Sequence, residues 1–245
     1  MTARRITSDR IAARISADQQ RVRATYAERQ SRLGGSDKYS LANPGHLFAI
    51  QQRQRAVLAC LAREGVWPLV GKRVLEVGSG NGEVLQEWLG YGVRPERLHG
   101  ADILADRLET AHGRLPHVAI SGANGGQLPY ADDSFDVVLQ FTVFSSILDK
   151  HVCYTVASEM RRVLRPGGLI LWYDFWLNPL NKQTRGIRRQ EVRDYFPDCR
   201  VRFDRITLAP PLARRLAPVS WPAALCVEAL GLFNTHYLAA IRPIR

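Results

Sequence analysis

The sequence predicts an α/β fold, a doubly wound and mostly parallel sheet, on three observations. From Lys72 onward, short apolar runs alternate with helical stretches, the rhythm of repeated strand–helix units covering both faces of a sheet. Val74-Leu75-Glu76-Val77-Gly78-Ser79-Gly80-Asn81-Gly82 reads as a buried strand entering a glycine-rich turn that opens a helix at Glu83. Asp102 then closes the next strand, twenty positions after Gly82.

Taken in order, the first forty residues carry helical spacing, with Ile6, Arg10, Ile11, Arg14 and Ile15 setting an apolar stripe beside a basic one. The break Leu33-Gly34-Gly35-Ser36 ends this appended helix. A second helix is predicted from about residue 44 to 62, because Leu47, Ile50, Val57, Leu58 and Leu61 share a face and Gly65 and Pro68 stop it. Strands are expected at 73–77, 98–103, 118–121, 137–141 and 169–175, with helices near 82–90, 105–113 and 151–164. Arg165-Pro166-Gly167-Gly168 reads as the turn that ends the last of these helices. Beyond it, 188–196 looks helical, 200–208 alternates like a strand, and 236–241 suits a final, antiparallel strand. Pro210, Pro211, Pro218 and Pro222 mark an irregular, partly helical insertion at about 209–234. Residues 1–66 are thus an N-terminal helical segment and 67–245 the main domain.

At 245 residues, 46% hydrophobic and 23% charged, with no apolar run near the ~20 residues of a bilayer span, the chain excludes disorder, collagen and membrane-spanning classes. Cys60, Cys153, Cys199 and Cys226 stand far apart without metal or redox spacing, and the arginine-bearing N-terminus lacks the apolar core of a signal peptide. Reduced thiols, no metal and a cytoplasmic location are expected. The formal charge of +11 sits at the ends: residues 1–38 sum to +5, 182–245 to +7 and 39–181 to −1. A neutral centre with basic ends fits a solvated surface better than a phosphate track, so a nucleic-acid partner is not favoured.

In the glycine turn, absent Cβ atoms let a ligand lie against the backbone, and the N–H groups of the first helical turn are expected to face it. An acid at Asp102 suits the ribose hydroxyls of an adenine nucleoside. A nicotinamide site asks for G-x-G-x-x-G, whereas this order is G-x-G-x-G preceded by Glu76, an acid poorly placed beside a pyrophosphate and well placed near a cationic amino group.

With VLEVGSGNG, GADI, QLPYADDSFDVV and RVLRPGGLILWYDF in order over residues 70–176, the chain resembles the class I S-adenosylmethionine-dependent methyltransferases, in the ubiquinone/menaquinone-type small-molecule branch. The resemblance implies a Rossmann-like, seven-stranded sheet with an antiparallel last strand, an N-terminal helical lid, S-adenosyl-L-methionine as cofactor and S-adenosyl-L-homocysteine as product. It implies that Gly78, Ser79 and Gly80 contact the methionine half, Glu76 supports its amino group, Asp102 holds the ribose and Ile103 packs on adenine. Asn124, where many relatives have aspartate, would accept from the adenine amino group beside Gly125, and Gln140 and Phe141 would wall the methionine side. Asn124 equally suits a turn before Gly125-Gly126, Gln140 suits strand-end backbone groups, and Asp133-Ser134-Phe135-Asp136 reads as structural.

Methyl transfer from a sulfonium is an in-line displacement, so orientation and exclusion of water supply much of the acceleration, and a base is needed only for an acidic acceptor. The candidate bases are Asp174 at the end of the fifth strand and His46 and Tyr39 in the N-terminal segment, with His236 farther away. Relatives often carry a histidine or acid after strand four; this chain has Ser145-Ser146. Trp172, Trp176, Phe144 and Tyr39 are candidates for an aromatic acceptor pocket, and Asn178-Pro179-Leu180-Asn181 follows the wrong strand for an N-P-P-Y motif. The expected reaction is methylation of O, N or C of a small aromatic or heterocyclic metabolite, as in secondary metabolism. An RNA methyltransferase, favoured by the basic ends, and a noncatalytic cofactor-fold module in an assembly are the alternatives. Arg188, Arg189, Arg214 and Arg215 leave peripheral membrane contact open, and the oligomeric state is undetermined.

Overall fold

Strand β1 (Val74–Val77), fully buried, sits inside the sheet away from both edges, as a mostly apolar run between two helical layers must. The computed structural model describes residues 2–33, 37–178 and 183–244, without the side chains of 2–12, 29, 30, 32 and 33. The Gly34-Gly35-Ser36 break, the Ile6, Arg10 and Ile11 side chains and Pro179-Leu180-Asn181 therefore lie outside the described parts.

Seven strands run in the order β3-β2-β1-β4-β5-β7-β6. Strand β1 pairs in parallel with β2 (Leu98–Asp102) and β4 (Phe135–Phe141); β3 (Ala119–Gly122) pairs parallel with β2, and β5 (Leu164–Phe175) parallel with β4. The last two, β6 (Cys199–Leu208) and β7 (Asn234–Pro243), pair antiparallel, and β7 inserts between β5 and β6. This is the expected doubly wound sheet, and the strand order reverses beside β1, which opens a crevice at the carboxyl ends of β1, β2 and β4.

One helical layer holds α2 (Pro44–Arg63), α3 (Glu83–Gly90) and α4 (Ala105–Arg114), whose Val57, Leu61, Leu85, Trp88 and Ala111 bury against Val74, Val137 and Leu171. The other holds α5 (Lys150–Arg162) and α6 (Arg189–Tyr195), with Val156, Met160 and Val192 against Leu75, Val138 and Trp172. Helix α1 (Thr2–Leu33) lies outside on α5. The insertion folds as α7 (Pro210–Leu216) and α8 (Trp221–Ala229), packed on Phe48 of α2 through Ala213 and Ala224. The caps are those the sequence supplies: Asn43 Oδ1 accepts from the Gly45 and His46 N–H groups, and Pro44 follows at the first helical position.

One boundary differs. Helix α5 ends at Arg162, and β5 already begins at Leu164, paired with Phe135, so Arg165-Pro166-Gly167-Gly168 is an irregular stretch inside the strand. The register shift between Phe135 and Val137 absorbs it.

Candidate active site

A partly open cleft enclosing about 140 Å³ occupies the crevice. Its floor comes from Val77, Gly78, Asp102 and Phe141 at strand ends, and one wall from Val152 and Val156 of α5. Its roof is α1, which contributes Ile15, Asp18, Gln19, Val22 and Tyr26. The roof is tied down by polar contacts. Arg14 pairs with Asp149 at 3.2 Å, and Asp18 Oδ1 accepts from Arg21 at 3.0 Å and from the Leu148 N–H at 3.4 Å. Arg21 also donates to the Ser146 carbonyl, and the Arg107 guanidinium of α4 stacks 4.0 Å over the Tyr26 ring.

Gly78 is a glycine for two reasons, a φ of +76° and the close approach of Val143, whose Cγ2 would lie 2.2 Å from an added Cβ. The N–H groups of the glycine turn itself are bonded within the protein. Gly78 and Ser79 donate to Ala101 O at 2.7 and 3.1 Å, Gly80 to Asp102 Oδ2 at 2.8 Å, and Gly82 to Ser79 O at 2.9 Å. With these donors spent internally, the turn is a poor cradle for a pyrophosphate and a suitable floor for a nucleoside without phosphates.

Of the sequence-predicted ligand residues, Gly78, Asp102, Ile103, Asn124, Gly125 and Phe141 line the cleft together. Asp102 Oδ1 also accepts from the Leu104 N–H at 2.9 Å; each oxygen keeps a second lone pair for a hydroxyl. Asn124 Oδ1 accepts from the Gly126 N–H at 2.7 Å, so it forms the turn and faces the cleft at once. Ser79 and Gly80 stand behind the floor. Gln140 is fully buried and serves the strand end, its Oε1 accepting from the Val143 N–H at 2.9 Å. It does not wall the cleft.

Glu76 alternates to the opposite face from Val77, toward α2 and α3, where its Oε2 is buried without a hydrogen-bond partner. Burial raises its pKa well above the ordinary carboxylate value, and the neighbouring Glu87 adds to the rise while Arg53 opposes it. Arg53 pairs with Glu87, lies 5.4 Å from the Phe141 ring centroid and has an unpartnered Nε. One nitrogen of Arg53 and one oxygen of Glu76 are thus buried on this side of the sheet without a hydrogen-bond partner.

The three candidate bases are not brought together. Asp174 is fully buried, its Oδ2 accepting from the Ser145 N–H and its Oδ1 from the Phe175 N–H, so it pins the turn after β4 and lies off the cleft wall. Burial pushes its pKa up to about 6 against these hydrogen bonds. His46 sits on α2 edge-on to Tyr39 at 5.7 Å, and neither lines the cleft. Desolvation, then Arg53, lowers the His46 pKa. Trp172 and Phe144 are fully buried in the α5-side core, and Trp176 Nε1 donates to Asn234 O at 2.8 Å. Two of the expected acceptor-pocket aromatics are therefore core, Trp176 is half-buried, Tyr39 is exposed, and none of the four lines the cleft. Sequence reasoning missed Asp18, Tyr26, Arg53 and Arg107, all helical residues that nothing in their spacing marks.

Residues 75–172 match the family model described as a methyltransferase domain. A protein of Mycobacterium marinum described as an uncharacterized methyltransferase is 32% identical over 178 residues, which cover 67% of this chain and 64% of that protein. A similarly described protein of Mycobacterium leprae is 35% identical over 130 residues, covering 49% of this chain and 44% of that one. The chain thus spans less than two thirds of the length of either relative. Among solved structures, a SAM-dependent methyltransferase from Archaeoglobus fulgidus superposes with a TM-score of 0.55 at 19% identity, covering 81% of this chain and 98% of that one, a likeness of fold.

Proposed function

From the premise that residues 75–172 carry a methyltransferase domain of the class I superfamily, we propose that the chain transfers the methyl group of S-adenosylmethionine to a small acceptor and releases S-adenosylhomocysteine. The observation that carries this reading is the cleft over Gly78, with Asp102 on its floor, beside a sheet face where the Glu76 Oε2 is buried without a partner. Asp102 takes the ribose hydroxyls, and Ile103, Ala123 and Gly125 give adenine its apolar bed. Glu76 takes the ammonium and Arg53 the carboxylate of the methionine tail, because a zwitterion gives partners to the Glu76 Oε2 and the Arg53 Nε, the buried atoms left without one.

The bound sulfonium supplies an electrophilic methyl group whose positive charge vanishes on transfer. The chain's contribution is to orient the acceptor and to keep water out, which favours loss of charge. Helix α1, with residues 1–66 as the lid segment, does the excluding. Among the described residues lining the cleft, the carboxylates are Asp18 and Asp102, both already engaged in hydrogen bonds. An acceptor that needs no strong base, such as an unprotonated amine or ring nitrogen, fits this environment best. The apolar walls support the ubiquinone/menaquinone-like small-molecule branch. They also support an aromatic or heterocyclic acceptor.

The basic ends give no support to an RNA substrate. Arg14 is bound to Asp149, Arg185 to Glu191 and Tyr195, and Arg242 to Glu64, so part of this charge is consumed in pairs. The test is calorimetry with S-adenosylhomocysteine, followed by mass spectrometry of cell extracts incubated with the chain and labelled methyl donor. Binding and a labelled product under 1,000 Da, a small-metabolite mass on the order of a cofactor's, are expected; no detectable cofactor binding would sink the reading.

A further inference from the structure

Helix α8 has an outward face that nothing covers. Pro222, Cys226 and Ala229 on the helix, Val219 before it, exposed over 85% of its surface, and Leu230 and Phe233 in the turns after it are all exposed and form one apolar strip. The inward face carries Ala224, buried against Phe48, and Trp221, edge-on to the same ring at 5.1 Å. From Val219 to Phe233 the only charged residue is Glu228, and it is held back by the backbone N–H groups of Leu208 and Thr207. Both ends of the strip are cationic. Arg215 is exposed on α7, and Arg205 donates to the Leu232 carbonyl at 2.8 Å while stacking 4.3 Å over Trp176.

We propose that this strip is a peripheral docking surface for an anionic lipid bilayer, with α8 lying in the plane of the headgroups. The physical reason is charge complementarity around an apolar strip: the exposed apolar side chains of α8 and its flanking turns enter the acyl boundary while the flanking guanidiniums meet lipid phosphates. A second copy of the chain fits worse. Paired in either direction, two such strips set cation against cation, and a nine-residue helix of ~14 Å is short for an interface that needs about 1,200 Å² or more. The proposal does not depend on the methyltransferase reading, and α8 contributes no residue to the cleft.

Cys226 provides the probe, since it is exposed and Cys60, Cys153 and Cys199 are buried. The full chain, labelled there with an environment-sensitive dye, is mixed with phosphatidylcholine vesicles with and without phosphatidylglycerol. A blue shift and co-sedimentation with the phosphatidylglycerol vesicles, reversed by salt, are expected. Leu230→Ser with Phe233→Ser should weaken partition on the order of tenfold or more, and Arg215→Ala about fivefold, both with S-adenosylhomocysteine affinity unchanged. Equal partition onto phosphatidylcholine alone, or none onto either vesicle, would overturn the proposal. So would a lipid-independent blue shift accompanied by a dimer in light scattering, which assigns the strip to a second copy.

Discussion

Arg53 and Glu76 come from separate elements, and each is left with a buried polar atom that only a ligand or water completes. If they hold the methionine tail, Arg53→Met should weaken S-adenosylhomocysteine by about tenfold or more while sparing methylthioadenosine, which lacks the amino-acid group. Arg53→Lys should recover part of the loss. Equal weakening of both ligands in calorimetry would reduce Arg53 to a structural partner of Glu87. A second pair governs acid behaviour. Burial holds the imidazole of His236 down at about 3, so the unfolded chain takes up a proton the folded chain refuses. Stability present above pH ~6.5 is therefore lost as pH falls toward ~3. Asp174, pushed up to about 6, has the opposite sign: its folded form binds the proton more tightly, so stability grows as pH falls from ~6 to ~4. The two slopes overlap and largely offset. His236→Phe keeps a ring stacked on Tyr173 and removes one slope, so its stability relative to wild type should rise by about 3 kcal/mol between pH ~7 and ~4 in urea titrations. Parallel pH profiles for the two proteins would contradict this account.

Helix α1 roofs the cleft through ion pairs and a cation–π contact more than through apolar packing, which makes it the element whose docking a ligand changes most. Such contacts are individually weak at a surface. Saturating S-adenosylhomocysteine should slow tryptic cleavage at Arg14, Arg21 and Arg23 by about tenfold or more, because a ligand that binds only the closed form suppresses opening by mass action. Unchanged cleavage rates would mean that α1 does not close over the ligand. At the same scale, β5 holds two irregularities in one strand: the Arg165-Pro166-Gly167-Gly168 stretch near its start and Asp174 near its end, turned toward the Ser145 N–H. Alternation along a strand says that Tyr173 and Asp174 face opposite ways. It does not say which of them meets the ligand, and neither does.

The whole molecule carries its formal +11 mainly on arginines, several of which are consumed by buried or half-buried partners. Cofactor binding should therefore depend little on ionic strength, with less than about a twofold change between ~50 and ~200 mM salt; a phosphate-tracking surface would change by orders of magnitude. S-adenosylhomocysteine at about 100 times its Kd should add about 2.7 kcal/mol and raise Tm by roughly 5–10 °C. A melting temperature indifferent to the ligand would argue against a site formed by the folded chain. Among the described residues, no helix is long and apolar enough to cross a membrane.

Strand positions, the glycine turn and Asp102 were legible in the sequence because each is a local pattern: apolar runs for a sheet buried on both faces, and a turn whose backbone excludes side chains. Asn124 was legible as a turn former before Gly125-Gly126. What the chain order could not decide was which distant groups meet. Tyr26 reaches Arg107, Asp18 reaches the Leu148 N–H, and Arg53 reaches Glu87, contacts spanning tens of residues that no spacing rule encodes. The same holds for His46, Tyr39 and Asp174, chemically able and placed elsewhere by packing. Local sequence determined the strand, turn and helix that make the cleft floor, because backbone sterics act between neighbours; only the tertiary structure chose its roof and its buried charges, because burial and electrostatics act between residues that folding alone brings together.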